Sequence, residues 1–227
     1  MTILALEFSS ERRSVAVWQT SGRDSREATR GAVAWAESSP RRLNAFTLIE
    51  GALQQAGVGR EAIECVAVGL GPGSYTGIRA AISIAQGWEL ARGVRLLGLS
   101  SVEAMASRAW QEDVRGRLSF VIDAQRNEFY LATYEFQEEN FRSIEPLRIV
   151  PFAEVAKLAN AGEALAGPEV NRLFPGGRVL YPDADSLARL ALGEDDFVTG
   201  DKLEPIYLRE TNFVKAPSGR KLDEGPS

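Results

Sequence analysis

One stretch of the chain has the residue types that bind anions: Gly69-Leu70-Gly71-Pro72-Gly73-Ser74-Tyr75-Thr76-Gly77-Ile78-Arg79. It follows an apolar run with the length of a buried strand and precedes a helical pattern. Glycines let a backbone approach a ligand closely, and the amides that open a helix carry partial positive charge. The spacing fits no common phosphate loop. A G-x-G-x-x-G run from Gly71 needs a glycine where Thr76 stands, and the stretch lacks the lysine of a P-loop. A nucleophile elbow needs glycines two residues either side of Ser74, where Pro72 and Thr76 stand. Two readings remain open, a tight capped turn or an anion site. Glu7 and Asp123 are the other candidates. Each closes an apolar strand, and in a duplicated fold the two could face each other, hold Mg²⁺ or act as a base. The favoured reading is that each is a hydrogen-bonded strand-end carboxylate kept from an ancestral site, because no lysine or arginine cluster for a triphosphate accompanies them.

The rest of the composition narrows the chemistry. The 227 residues include no histidine and one cysteine. That removes imidazole bases, Ser-His-Asp and Cys-His catalysis, and zinc sites built on His or Cys clusters. Cys65 lies in an apolar run and reads as a small core residue. No cofactor and no metal are expected. With 26 basic and 31 acidic residues the net charge is -5, so independent coating of nucleic acid is not expected. The pairs Arg12-Arg13 and Arg41-Arg42 read as solvated loop charges that could assist RNA contact when a partner supplies the rest. Met1-Thr2-Ile3 has no basic leader, and the uncharged region Cys65 to Ile78 is too short and broken for a membrane span of about 20 residues. A soluble, cytoplasmic protein is expected.

The elements that must position these residues follow from apolar periodicity. Thr2–Phe8, Ser14–Trp18 and Glu27–Trp35 read as a meander of three strands. A helical segment runs from Pro40 to Ala56, with Leu43, Phe46, Ile49, Leu53 and Ala56 on one face. A strand at Ile63–Leu70, a helix at Tyr75–Ala91, a strand at Leu96–Leu99 and a helix at Val102–Trp110 follow. The order then repeats: strands at Leu118–Asp123, Phe129–Phe136 and Leu147–Val150, a helix from Pro151 to Leu158, a strand at Ala164–Gly167, a helix at Glu169–Phe174, and elements at Val179–Tyr181 and Asp185–Leu192. This predicts an α/β protein of two mixed-sheet units, residues 1–110 and 111–215, followed by a disordered tail at 216–227.

Gly71 to Arg79, read as Gly71, Pro72, Gly73, Ser74, Tyr75, Thr76, Gly77, Ile78 and Arg79, resembles the GPGSFTGLR signature of the TsaB (YeaZ) family. The likeness extends to the opening hairpin (Thr2–Leu6, Ser9, Ser14–Val17), to Leu99–Ala106, to Asp123-Ala124 with Glu128-Phe129-Tyr130, and to Pro205-Ile206-Tyr207-Leu208-Arg209. The resemblance implies an actin/Hsp70/sugar-kinase (ASKHA, ribonuclease H-like) fold. It also implies a role in making N6-threonylcarbamoyladenosine at position 37 of tRNAs reading ANN codons. The TsaB member is the non-catalytic paralogue that partners and activates the TsaD transferase, with TsaE, an ATPase, as a third component. It homodimerises through related surfaces and meets tRNA only through the complex. Two departures bear on the site. Phe8 stands where the family has a threonine hydroxyl, which argues against a nucleotide in this cleft. The histidine pair that holds the metal in TsaD has no counterpart. The alternative function is a stand-alone, carboxylate-based phosphotransferase of the same fold.

Two helices carry more apolar residues than one face needs. On Tyr75–Ala91, Ile78, Ala81, Ile82 and Ala85 form one stripe, and Gly77, Ala80, Ile84, Gly87 and Ala91 another. On the helix before it, Ala45, Leu48 and Ala52 form a second face. Such helices are either buried all round or packed on something outside their own fold. The expected partner interface is Ala45, Leu48, Ala52, Gly77, Ala80, Ile84, Gly87, Trp88 and Ala91.

Overall fold

A computed structural model of the chain describes residues 1–20, 28–36 (backbone) and 44–208. Arg41, Arg42 and the 216–227 tail lie outside the described residues. Strands β1 (Thr2–Glu7), β2 (Arg13–Thr20) and β3 (Ala28–Ala36) form the expected meander. Helix α1 (Ala45–Ala56) leads to β4 (Cys65–Gly69), α2 (Tyr75–Arg92), β5 (Arg95–Leu99) and α3 (Ser101–Gln111). The second half runs β6 (Gly116–Asp123), β7 (Glu128–Phe136), β8 (Phe141–Pro151), α4 (Phe152–Asn160), β9 (Leu165–Gly167), α5 (Val170–Leu173), β10 (Arg178–Val179) and α6 (Ala184–Ala191).

The two sheets have the same topology. The first is ordered β3-β2-β1-β4-β5, and the second, read in the same sense, β8-β7-β6-β9-β10. In each, the three meander strands pair antiparallel and the fourth joins the first in parallel. Strand β8 is longer than its apolar run Leu147–Val150, because a polar half pairs with β7 and places Arg142 against Glu135.

Side chains alternate across each sheet. From the first sheet, Leu4, Leu6, Val66 and Val68 face a core with Ile49, Leu53, Ile78, Ala81, Ile82 and Ala85 of α1 and α2. Ile3, Ala5, Cys65 and Ala67 face the other way and are covered by Leu187, Ala188 and Ala191 of α6. That helix belongs in sequence to the second half. Conversely, Val102, Met105, Ala106 and Ala109 of α3 pack on Leu118, Phe120 and Tyr134 of the second sheet. Each half lends its last helix to the other's sheet. The exchange is fastened by polar contacts: Ala184 N donates to Ser14 Oγ (2.9 Å) and Trp18 Nε1 to Asp185 Oδ1 (2.8 Å). Asp183 caps α6 by accepting from Ser186 N at 2.8 Å.

This packing makes the halves one cooperative unit. Leu187 is fully buried against the first sheet, so Leu187→Ala should cost about 2–5 kcal/mol. Tryptophan fluorescence and far-UV circular dichroism should follow one coincident unfolding transition in urea, shifted to lower concentration.

Candidate functional site

The glycine stretch is a strand-to-helix turn braced against the β1–β2 connection. Gly71 and Gly73 have φ of +90° and +150°. A β-carbon on Gly73 would lie 2.1 Å from the Ser9 carbonyl oxygen, and one on Gly77 would lie 2.0 Å from that of Phe8. Ser74 N donates to Ser9 O (2.6 Å), and Ser74 Oγ caps α2 by accepting from Gly77 N (3.4 Å). The glycines therefore admit the protein's own backbone. Of the two readings of the motif, the tight capped turn describes these contacts. The outer residues differ: Tyr75, Thr76 and Arg79 are exposed.

Behind the turn lies Glu7, whose side chain is fully buried. Its Oε1 accepts from Ser9 N (2.8 Å) and its Oε2 from Ser101 Oγ (2.7 Å). Ser101 Oγ in turn accepts from Gly71 N at 3.1 Å. Burial raises the Glu7 carboxyl above its ordinary value, against the lowering effect of the hydrogen bonds with Ser9 and Ser101. Asp183, also buried, is raised for the same main reason.

Glu7 and Asp123 do not form a pair across a cleft. A cleft of about 410 Å³ between the sheets is lined by Ser10, Glu11, Ser74, Asp123, Glu169 and Arg172 among others, and Glu7 is not among them. Asp123 is exposed and its Oδ1 accepts from Gln125 N at 2.7 Å. Arg172 is neutralised by Glu169 at 2.9 Å. Glu11 accepts from Tyr181 Oη (2.8 Å), while the Arg12 guanidinium sits 4.3 Å from the Tyr181 ring centre and Arg13 lies over Phe8. Phe8 is core, packed with Leu6 and Ile78. The cleft is thus lined by three carboxylates and one paired arginine. Among the described residues no cluster of three His, Cys, Asp or Glu side chains is arranged to hold a metal ion.

The two-faced helices form a different feature. Between α1 and α2 lies a groove of about 800 Å³ whose walls include Phe46, Ala80, Ile84, Gly87, Trp88 and Ala91. Phe46 is 61 % exposed. Ala45, Ala80, Ile84 and Trp88 are half-buried, and Gly87 and Ala91 are exposed. Three expected interface residues belong elsewhere. Leu48 and Ala52 are core, because α1 packs across β2 and β3 on the arc of Leu48, Ile49, Ala52 and Leu53. Gly77 is buried under Phe8 O. Phe46, placed by periodicity on one face with Ile49 and Leu53, lies on the groove. Glu50 and Arg60, which ion-pair with each other, also line it.

Two like-built lobes around a cleft, tied by exchanged helices, define a protein of the actin/Hsp70/sugar-kinase (ASKHA) type. Residues 31–207 match the family model described as TsaD: tRNA N6-adenosine threonylcarbamoyltransferase. The chain is 29 % identical over 241 residues to the tRNA threonylcarbamoyladenosine biosynthesis protein TsaB of Escherichia coli, covering 97 % of this chain and 100 % of that one. It is 27 % identical to the protein of that name from Haemophilus influenzae, covering 96 % and 98 %. The structure of YeaZ from Pseudomonas aeruginosa aligns with a TM-score of 0.73 at 28 % identity, covering 91 % of this chain and 99 % of that one. The chain belongs to the TsaB (YeaZ) family. No helix among the described residues is long and apolar enough to cross a membrane.

Gly77 and Gly87 share one helix, yet only Gly77 meets backbone; nothing lies within 4 Å of a β-carbon on Gly87. Gly77→Ala should destabilise by about 1–3 kcal/mol, and Gly87→Ala should stabilise by about 0.5–1 kcal/mol through helix propensity, both read from urea denaturation. The sealed carboxyl adds a dependence on pH. Because the folded state raises the Glu7 pKa above its unfolded value near 4.5, folding favours the protonated form. The Glu7 contribution is fully present below that value and is lost as pH rises through the folded pKa. Glu7→Gln should therefore gain stability relative to the parent as pH rises above the unfolded value near 4.5. Glu7→Ala should lose about 1–3 kcal/mol at acid pH, having left Ser9 N and Ser101 Oγ without their buried partner. Urea melts of the three proteins at a series of pH values read both effects.

Proposed function

We propose that this protein is a non-catalytic subunit of the machinery that places a threonylcarbamoyl group on N6 of adenosine 37 in tRNAs reading ANN codons. It holds and activates a TsaD-type transferase and does not itself perform the transfer. The observation that carries this reading is the α1/α2 groove. It offers an apolar surface with Phe46 projecting into solvent, and exposed apolar patches of this kind mark interaction sites. Gly87 and Ala80 keep the groove shallow enough for a partner helix to come close. The cleft supports the same reading from the other side. Its carboxylates repel a polyphosphate, its arginine is already paired, and Glu7 is sealed from substrate. That weighs against the carboxylate-based phosphotransferase.

On this reading the chain works in the cytoplasm, without cofactor or membrane. It pairs with itself through the same groove when the transferase is absent, is joined in the complex by a TsaE-like ATPase, and meets tRNA as part of that assembly. Residues 1–110 and 111–215 are the two halves of a duplicated unit, held together by the exchanged helices. The names of the relatives from Escherichia coli and Haemophilus influenzae support the tRNA pathway.

The test is co-elution with the TsaD-type protein of the same organism. Gly87→Arg is the sharpest variant, since the site is open and arginine is a better helix former than glycine; the monomer should stay folded by circular dichroism. A long charged side chain in a desolvated helix contact should weaken the heteromer on the order of 100-fold or more. Unchanged affinity would move the interface off the groove, and failure of the parent protein to bind would remove the subunit reading itself.

A further inference from the structure

At the exposed start of α2, Tyr75 and Tyr207 put their ring centres 5.4 Å apart, tilted by 45°. They are 49 % and 53 % exposed. Arg79, one turn on, donates from Nη1 to Tyr75 Oη at 2.6 Å and holds its guanidinium 5.2 Å from the Tyr75 ring centre. Tyr207 is fixed from the other side, because Ile206 N donates to Leu70 O at 2.8 Å, next to the glycine turn. The cluster thus rests against the glycine turn of the first lobe.

Arg79 joins Arg12, Arg13, Arg92, Arg95 and Arg126 in making no ion pair among the described residues, whereas others are neutralised. Arg117, Arg142 and Arg148 each pair with a glutamate. Arg79 has no carboxylate within ion-pair distance among the described residues, and an aromatic hydroxyl orients it instead. A half-exposed tyrosine face beside an oriented, unneutralised guanidinium is suited to an unpaired nucleobase stacked on the ring with a phosphate at the arginine.

We propose that Tyr75, Arg79 and Tyr207 form an RNA contact, which stacks an unpaired base of the tRNA while the transferase holds the rest. The proposal rests on the function given above and adds a direct role for this chain in gripping the substrate.

The experiment uses the full chain in complex with the TsaD-type protein, and as probe a fluorescently labelled, unmodified transcript of an ANN-reading tRNA. Partner co-elution is measured first. The combined Tyr75→Ala, Arg79→Ala, Tyr207→Ala variant should co-elute as the parent does and bind the transcript about tenfold or more weakly, the effect of losing a stacked base. Arg79→Ala alone should reduce the slope of log affinity against log salt by about one, as for one lost phosphate contact. Tyr75→Phe keeps the ring and should lose much less. Unchanged tRNA affinity and salt slope would overturn the proposal. So would a loss of partner binding in the combined variant, since the cluster would then be a protein contact. If the parent chain binds no transferase, the functional reading falls and this inference falls with it.

Discussion

A carboxyl group with no access to water organises the first lobe. Glu7 ends β1, takes hydrogen bonds from Ser9 N in the turn beyond and from Ser101 Oγ at the start of α3, and Ser101 passes the link to Gly71 N. Four pieces of chain meet there: the first strand, its hairpin turn, the glycine turn and the third helix. An unsatisfied polar atom in such a place costs far more than a surface one, so the junction fixes the geometry of everything attached to it. The glycine turn sits against Phe8 and Ser9 because the same junction brings them together, and α2 leaves the turn at the angle this contact sets. The groove on the outer side of α2 and the aromatic cluster at its start are both carried on that frame.

Much of this was legible from residue order. The apolar run of β1, the meander pattern and the glycine turn each have a local cause, and each is found where periodicity puts it. Ser74 and Ser100 cap helices as side chains that satisfy free amides do. What periodicity could not supply was the neighbour of each face. On α1 the apolar residues span a wide arc, and a helix rotated by part of a turn exchanges Phe46 for Leu48 and Ala52 as the buried set. On α2 the glycines look alike in sequence. One lies under a carbonyl oxygen and the other faces open space.

The charged residues were legible in type and not in setting. Glu7 and Asp123 occupy matching places in the two halves, at the ends of β1 and β6, yet one is sealed and the other exposed. The difference lies in the path of the chain just past each strand. After β1 it folds back under α3 and the glycine turn. After β6 it makes an open turn at Gln125, Arg126 and Asn127, all with positive φ. Equivalence in a duplicated order therefore does not carry equivalence in chemistry.

The exchange of α3 and α6 has a bearing on how the chain is made. Synthesis delivers the strands of the first sheet and α1 to α3 before any of the second half. The face of that sheet formed by Ile3, Ala5, Cys65 and Ala67 then waits for α6, roughly ninety residues later. At ribosomal rates this leaves an apolar sheet face uncovered for on the order of 5–20 s, and α3 meanwhile presents Val102, Met105 and Ala106 with nothing yet to cover. A nascent chain in that state exposes more apolar surface than the finished protein and is correspondingly more prone to aggregation.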